Sequence, residues 1–172
     1  MFLNKIKNFL VFSFFIFLLS TKASSIEKIE GVPSVTDGDT IKINGNKIRL
    51  FGIDAPEVKQ SCKKPFISFS FYSLYKKYNC GVISTKKLRD KISNKKISCL
   101  ISNKDRYGRF IGECFYKKLN LNSWMVKNGY AVAYLKYSKK FVAQEKQAKE
   151  NKLGVWQGPF INPWEWRKKN KN

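Results

Sequence analysis
Four of the twelve acidic residues fall between positions 37 and 57: Asp37, Asp39, Asp54 and Glu57. Asp37-Gly38-Asp39 has the composition of a tight bend, and Asp54-Ala55-Pro56-Glu57 that of a strand terminator, so each alone reads as turn chemistry. The stretch between them carries Asn44-Gly45, a strong hairpin signal. A hairpin over Thr40–Ile53 would set Asp39, at its start, beside Asp54, at its end. Carboxylates gathered in this way repel one another unless a cation lies among them. The chain has no histidine, and none of its four cysteines forms a CxxC pair. The available ligands are therefore oxygens, which select a hard ion: Ca²⁺ first, Mg²⁺ or Mn²⁺ second.

The absence of histidine also removes every mechanism built on an imidazole, from Ser-His-Asp triads to His-ligated zinc hydrolases. Only five of the 34 basic residues are arginine: Arg49, Arg89, Arg106, Arg109 and Arg167. In a chain that defaults to lysine, an arginine points to a need for its planar fork, which grips phosphate in a bidentate way. Arg49 lies on the return strand of the hairpin leading to Asp54. Arg109 closes Asp105-Arg106-Tyr107-Gly108-Arg109, where Asp105 offers it a local partner. A carboxylate-bound metal beside two arginines is an arrangement for cleaving phosphodiesters.

These residues need a scaffold. Short strands are expected at Val32–Thr36, Thr40–Ile43 and Lys47–Ile53. Two more are expected at Ile97–Ser102 and Arg109–Tyr116, joined by a polar turn. Ser84, Leu88 and Ile92 recur at helical spacing. Asn122–Asn128 reads as a short helix ending at Gly129. Ala131–Tyr137 reads as extended. Ser138 is the expected N-cap of a last helix running to about Lys152. Residues 58–80 are basic and rich in Phe and Tyr, and no period assigns them. Early strands with interposed helices predict an α+β domain built on an OB-type five-stranded barrel with about three helices.

The N-terminus reads as an address. Lys5 and Lys7 precede the uncharged run Phe9–Leu19, about 17 Å long as a helix against about 30 Å of hydrocarbon core. That length suits a signal peptide over residues 1–23, with Ser24 as the new N-terminus and 24–172 as one domain. Export, to a periplasm or beyond the cell, accounts for the even cysteine count. Of three possible connectivities, Cys99–Cys114 with Cys62–Cys80 is favoured: the first joins neighbouring strands, the second closes the aromatic segment. A net charge of +22 favours a polyanionic partner. The lysine pairs give sequence-independent attraction to phosphate backbones, and aromatic residues within 66–78 could stack on single-stranded bases.

The strings VTDGDTIKI, IRLFGIDAPE, DRYGR, LNSWMVKNGYA and EKQAKENKLGVW, in this order and spacing, resemble the staphylococcal nuclease (thermonuclease) family over a core of 32–156. The resemblance implies an OB-fold barrel and Ca²⁺-dependent hydrolysis of DNA and RNA, leaving 3′-phosphates. It implies Asp39, Asp54 and the Ala55 carbonyl as metal ligands, where the family often has Thr in place of Ala55. Glu57 is implied as the residue that orients or deprotonates the attacking water, and Arg49 and Arg109 as the phosphate-binding arginines. Asp37 is implied near the ion, and Tyr107 and Tyr134 around the nucleotide pocket. Single-stranded nucleic acid is the preferred partner, no protein partner is evident, and a monomer is expected. Residues 58–80 and the tail 157–172 depart from the family pattern, and the catalytic set is expected to be independent of both. Two alternatives stand beside the nuclease: an inactive OB module that binds nucleic acid, and a basic membrane-surface protein with an uncleaved anchor and interfacial Trp164 and Trp166.

Overall fold
The computed structural model describes residues 27–171. The signal-peptide reading of residues 1–23 and the new terminus at Ser24 lie outside the described residues. Among those described, no helix is long and apolar enough to cross a membrane.

The main sheet is mixed. Its strands run in the order β1 (Glu27–Gly31), β8 (Ile97–Lys104), β9 (Phe110–Tyr116), β4 (Asn46–Leu50), β3 (Thr40–Ile43), β2 (Ser34–Asp37), with a short β10 (Leu119–Asn120) on β9. Neighbours are antiparallel except β4 and β9, which run parallel with Arg49 opposite Ile111. The sheet curls around an apolar core that takes Ile41 and Ile43 from β3, Ile48 and Leu50 from β4, and Ile97 and Cys99 from β8. Helix α1 (Cys80–Ile92) supplies Leu88 and Ile92, and α2 (Leu121–Lys127) supplies Leu121, Met125 and Val126. Helix α3 (Val142–Glu150) adds Ala148, beside Phe141. This is an α+β, OB-type architecture. It carries four helices where about three were expected, because Pro163–Lys169 forms a further one, α4.

Two local expectations are corrected, and the segment that no period assigns takes a definite form. Ser138 does not cap α3. That helix starts at Val142 behind the buried Phe141, and the Ser138 hydroxyl accepts from Lys140 N in the preceding turn. Ala131–Tyr137 is extended only at β11 (Val132–Ala133), since Tyr134 begins a turn in which its carbonyl accepts from Tyr137 N and Ser138 N. Residues 62–78 form a separate hairpin, β6 (Cys62–Ser68) and β7 (Ser73–Tyr78), that pairs with no strand of the main sheet. Away from its base, where Cys62 and Tyr78 pack inward, its side chains are mostly exposed on both faces, so no burial pattern marks it in the sequence.

The disulfides join Cys62 to Cys80 and Cys99 to Cys114, the favoured pairing. The first ties the base of the β6–β7 hairpin to the start of α1. It sits in a second small core with Val132 and Val155, onto which Tyr78, Trp156, Phe160 and Trp164 pack.

Candidate functional site
The alternation that buries Ile48 and Leu50 sends Arg49 to the other face of β4. Thr40 pairs with Arg49 in register, and Leu50 N donates to Asp39 O at 2.8 Å, which fixes Asp39 beside the end of β4. Gly52 then turns the chain at φ +71°, in the region that favours glycine. This releases the short β5 (Ile53–Asp54) from the main sheet to pair with β11, Asp54 opposite Val132. The two aspartates therefore meet near the end of β4, as expected, but the expected single strand Lys47–Ile53 is broken at the Phe51–Gly52 turn.

Between them lies Arg49. It donates through Nη1 to Asp39 Oδ1 and through Nη2 to Asp54 Oδ1, the latter at 2.6 Å. Asp39 Oδ1 also accepts from Thr40 Oγ1 at 3.1 Å, and Oδ2 from Ala55 N at 2.7 Å. Asp37 accepts from Asp39 N at 3.0 Å and stands at the rim of the group. Both central carboxylates are buried. Burial pulls the Arg49 guanidinium toward losing its proton, and Asp39 and Asp54 outweigh it, holding the proton more firmly than usual. Burial raises Asp54 above the ordinary carboxylate range. Asp37 is pushed up to about 7, first by burial and then by the neighbouring Asp39.

Glu57 follows on the same loop. The loop closes through Gln60 N donating to Glu57 O at 2.7 Å, and the fully buried Gln60 accepts from Glu57 N at 3.2 Å through Oε1. A Cβ on Gly81, in the first turn of α1, would lie 1.7 Å from Glu57 O. Only glycine permits this approach of helix to loop.

The sequence motifs assign no role to one residue that reaches this site. Arg167, on α4, donates through Nη1 to Asp54 Oδ1 at 3.0 Å and Glu57 Oε1 at 2.7 Å, and through Nη2 to Asp54 Oδ2 at 2.8 Å. The expected independence of the acids from the tail is thus corrected: a second guanidinium reaches them from 113 residues downstream of Asp54. The scarcity of arginine marks it, but nothing local to Trp164-Glu165-Trp166-Arg167 says where it lands.

Arg109 and Tyr107 do not join this cluster. Arg109 precedes β9, two residues before the partner of Arg49, and is held by Asp105 through Nε and Nη2, both at 2.7 Å. Burial pushes the Asp105 carboxyl up, and the bonds from Arg109 and from Tyr107 N together outweigh it, holding Asp105 below the usual carboxylate range. Tyr107 is exposed at the turn, with its ring flanked by Arg106 and Arg109. Tyr134 lies on the tail side, stacked on Trp164 at 5.5 Å between ring centroids and 9° between planes.

Among the described residues, no three acid, cysteine or histidine side chains converge on one point, because guanidinium groups stand between the carboxylates. The donor chemistry nonetheless fits a hard cation. Every side-chain donor is a carboxylate oxygen, and Asp39 and Asp54 are bridged by a single guanidinium.

Residues 47–158 match the family model described as Staphylococcal nuclease homologue. Succinoglycan biosynthesis protein ExoI of Rhizobium meliloti is 35% identical over 142 residues, covering 81% of this chain and 70% of that protein. An uncharacterized endonuclease of Haemophilus influenzae is 32% identical over 148 residues, covering 81% and 73%. The micrococcal nuclease of Shigella flexneri is 31% identical over 159 residues, covering 82% and 81%. A match along this much of the chain, on a curled OB-type sheet, makes the chain a member of the staphylococcal nuclease homologue family.

Proposed function
We propose that the protein is an exported, Ca²⁺-dependent phosphodiesterase that hydrolyses DNA and RNA with little sequence preference and leaves 3′-phosphates. Residues 1–23 are its signal peptide, and 24–172 form one nuclease domain. The observation that carries the reading is the buried Asp39–Arg49–Asp54 group with Glu57 beside it. Asp39, Asp54 and the Ala55 carbonyl would hold the ion. Bound Ca²⁺ supplies Lewis-acid polarisation of the phosphoryl group.

The chain's own residues do the rest. Glu57, about one-third exposed at its side chain, accepts a proton from the attacking water. Arg49 commits two of its five N–H groups to the aspartates and keeps the others for a phosphate oxygen. Arg109 commits Nε and Nη2 to Asp105, leaving Nη1 for the same purpose. Both arginines stabilise the charge that develops at phosphorus. Asp37 remains behind Asp39, and Tyr107 and Tyr134 border the nucleotide.

The β6–β7 hairpin supports a preference for single strands. In register, Lys63 faces Lys77 and Lys64 faces Lys76. Like charges directly opposite one another destabilise a hairpin, and a phosphate backbone lying along it removes that cost. Phe66, with Lys76 Nζ 5.1 Å from its ring centre, is 63% exposed, and Phe71, at the tip of the hairpin, is 98% exposed; both offer faces on which bases stack.

The test is digestion of single-stranded DNA by the mature, oxidised protein with Ca²⁺, Mg²⁺ or a chelator, followed by analysis of product ends. Ca²⁺-dependent cleavage to 3′-phosphates is expected. Binding without cleavage under every ion makes the protein a nucleic-acid-binding module instead.

A further inference from the structure
The region that matches the family ends at residue 158, yet the acids of the site are held from beyond it. Among the described residues, Arg167 is the one partner of the Glu57 carboxylate. The same Nη1 that binds Glu57 binds Asp54, and Nη2 takes the second Asp54 oxygen. A planar guanidinium forked over one carboxylate and bridged to another sets the distance and orientation between the two. A flexible ammonium at this place fixes neither.

The clamp is itself anchored at both ends. Gln60, whose side chain accepts from Glu57 N, donates through Nε2 to Ile161 O at 2.6 Å, so the Glu57 loop grips the tail just ahead of α4. Lys63 N donates to Pro159 O at 3.1 Å. Trp164 stacks on Tyr134 and packs on the second core, which contains Val132, the residue paired with Asp54. Pro163 opens α4 in a buried position. The tail is thus docked independently of the ion pair, and its docking delivers the guanidinium to one place.

We propose that Arg167 is a positioning residue for the phosphodiesterase reaction: it holds the Glu57 carboxylate at a fixed place relative to Asp54, and the segment 159–169 is a working part of the site. The proposal rests on Glu57 being the base. In Arg167→Ala, kcat on a single-stranded oligonucleotide with Ca²⁺ falls by about 10- to 100-fold, the range for residues that orient ligands and bases, while KM stays within about threefold because Arg167 does not hold the substrate. Added millimolar guanidinium recovers activity several-fold, since the vacated place is one-third open to solvent in the parent protein. Arg167→Lys retains more activity than Arg167→Ala and gains nothing from guanidinium. Trp164→Ala, which changes no side chain of the acid cluster but loosens the docking that delivers Arg167, lowers kcat in the same direction.

A second readout does not depend on catalysis. Hydrogen exchange of the amides in 54–60 quickens in Arg167→Ala, while that of β3 and β4 is unchanged. Wild-type kcat in Arg167→Ala, or a loss that guanidinium leaves untouched and that follows thermal stability, overturns the proposal. Unchanged exchange in 54–60 does the same. If Arg167→Ala does not fold, Arg167→Lys and Trp164→Ala decide by the same exchange measurement. An inactive wild-type protein overturns the nuclease reading alone, because exchange still reports whether Arg167 fixes the loop.

Discussion

A guanidinium between two buried carboxylates does work in the folded state before any substrate arrives. Asp39 and Asp54 are 2% and 0% exposed as residues, and charges so buried are tolerated only with partners. Arg49 is therefore also a structural residue, and exchanging it should cost stability as well as rate. Arg49→Ala should lose about 3–5 kcal/mol, the cost of leaving buried charge unpaired. Arg49→Lys should lose less but still measurably, since one ammonium does not span both acids. Arg109→Lys should stay within about 1 kcal/mol, because its pair with Asp105 lies at a surface turn. Urea melts of the three variants separate these cases, and equal stabilities for Arg49→Lys and Arg109→Lys would contradict the geometry. Glu57→Gln should fold normally and turn over at least about a hundredfold more slowly, as expected when a positioned base is removed; activity near the parent's would exclude it as the base.

The sequence makes the clustering of these acids legible in part: Asn44-Gly45 announces the turn that sets Arg49 opposite Thr40 and so beside Asp39, whereas the Gly52 turn and the pairing with β11 that place Asp54 carry no such signal. Arg167 is not legible, since its pairing with Asp54 depends on the path of the whole tail.

At the scale of elements, the site depends on close approaches that side chains elsewhere would forbid. Gly81 lets α1 lie against the carbonyl of Glu57. Gly81→Ala should push the helix and the loop apart, costing about 1–3 kcal/mol as overpacking does and lowering kcat with it. Parent-like melting and kinetics would show that the loop can yield. Asn122, wholly buried in α2, accepts from Cys114 N at 3.1 Å and donates to Phe51 O at 2.9 Å and Gly112 O at 3.2 Å. It ties α2 to β9 and to the turn that releases β5 toward the site. Asn122→Leu leaves three backbone groups without this partner and should cost at least about 1–3 kcal/mol in a denaturant melt.

Elements with one buried face are readable: Leu88 and Ile92 mark α1, and Ile41, Ile43, Ile48 and Leu50 mark β3 and β4. The β6–β7 hairpin is not, because it buries neither face, and α4 is not, because a short helix holding Trp164 and Trp166 carries too few positions to show a period.

Over the whole molecule, charge sets the encounter with substrate. At +22 for the full chain, with lysines paired across β6 and β7, binding to single-stranded nucleic acid should weaken steeply with salt, the logarithm of affinity falling linearly with that of salt concentration. Titration of a labelled oligonucleotide in chelator, across salt concentrations, checks this without cleavage. Replacing Lys63, Lys64, Lys76 and Lys77 with glutamine should flatten the slope by roughly 0.7 for each phosphate of a single strand that these lysines neutralise. An unchanged slope would remove the hairpin from the binding surface.

The span between Asp54 and Arg167 has a further meaning for the order in which the protein comes into being. A ribosome makes the barrel strands long before it makes α4, and loops this long close late because their ends must find one another. The strands and the first three helices can therefore assemble while Glu57 still lacks its guanidinium partner. The acid cluster is finished only after the chain has been made through residue 167, so a growing chain carries Asp39, Asp54 and Glu57 well before it carries the part that sets them.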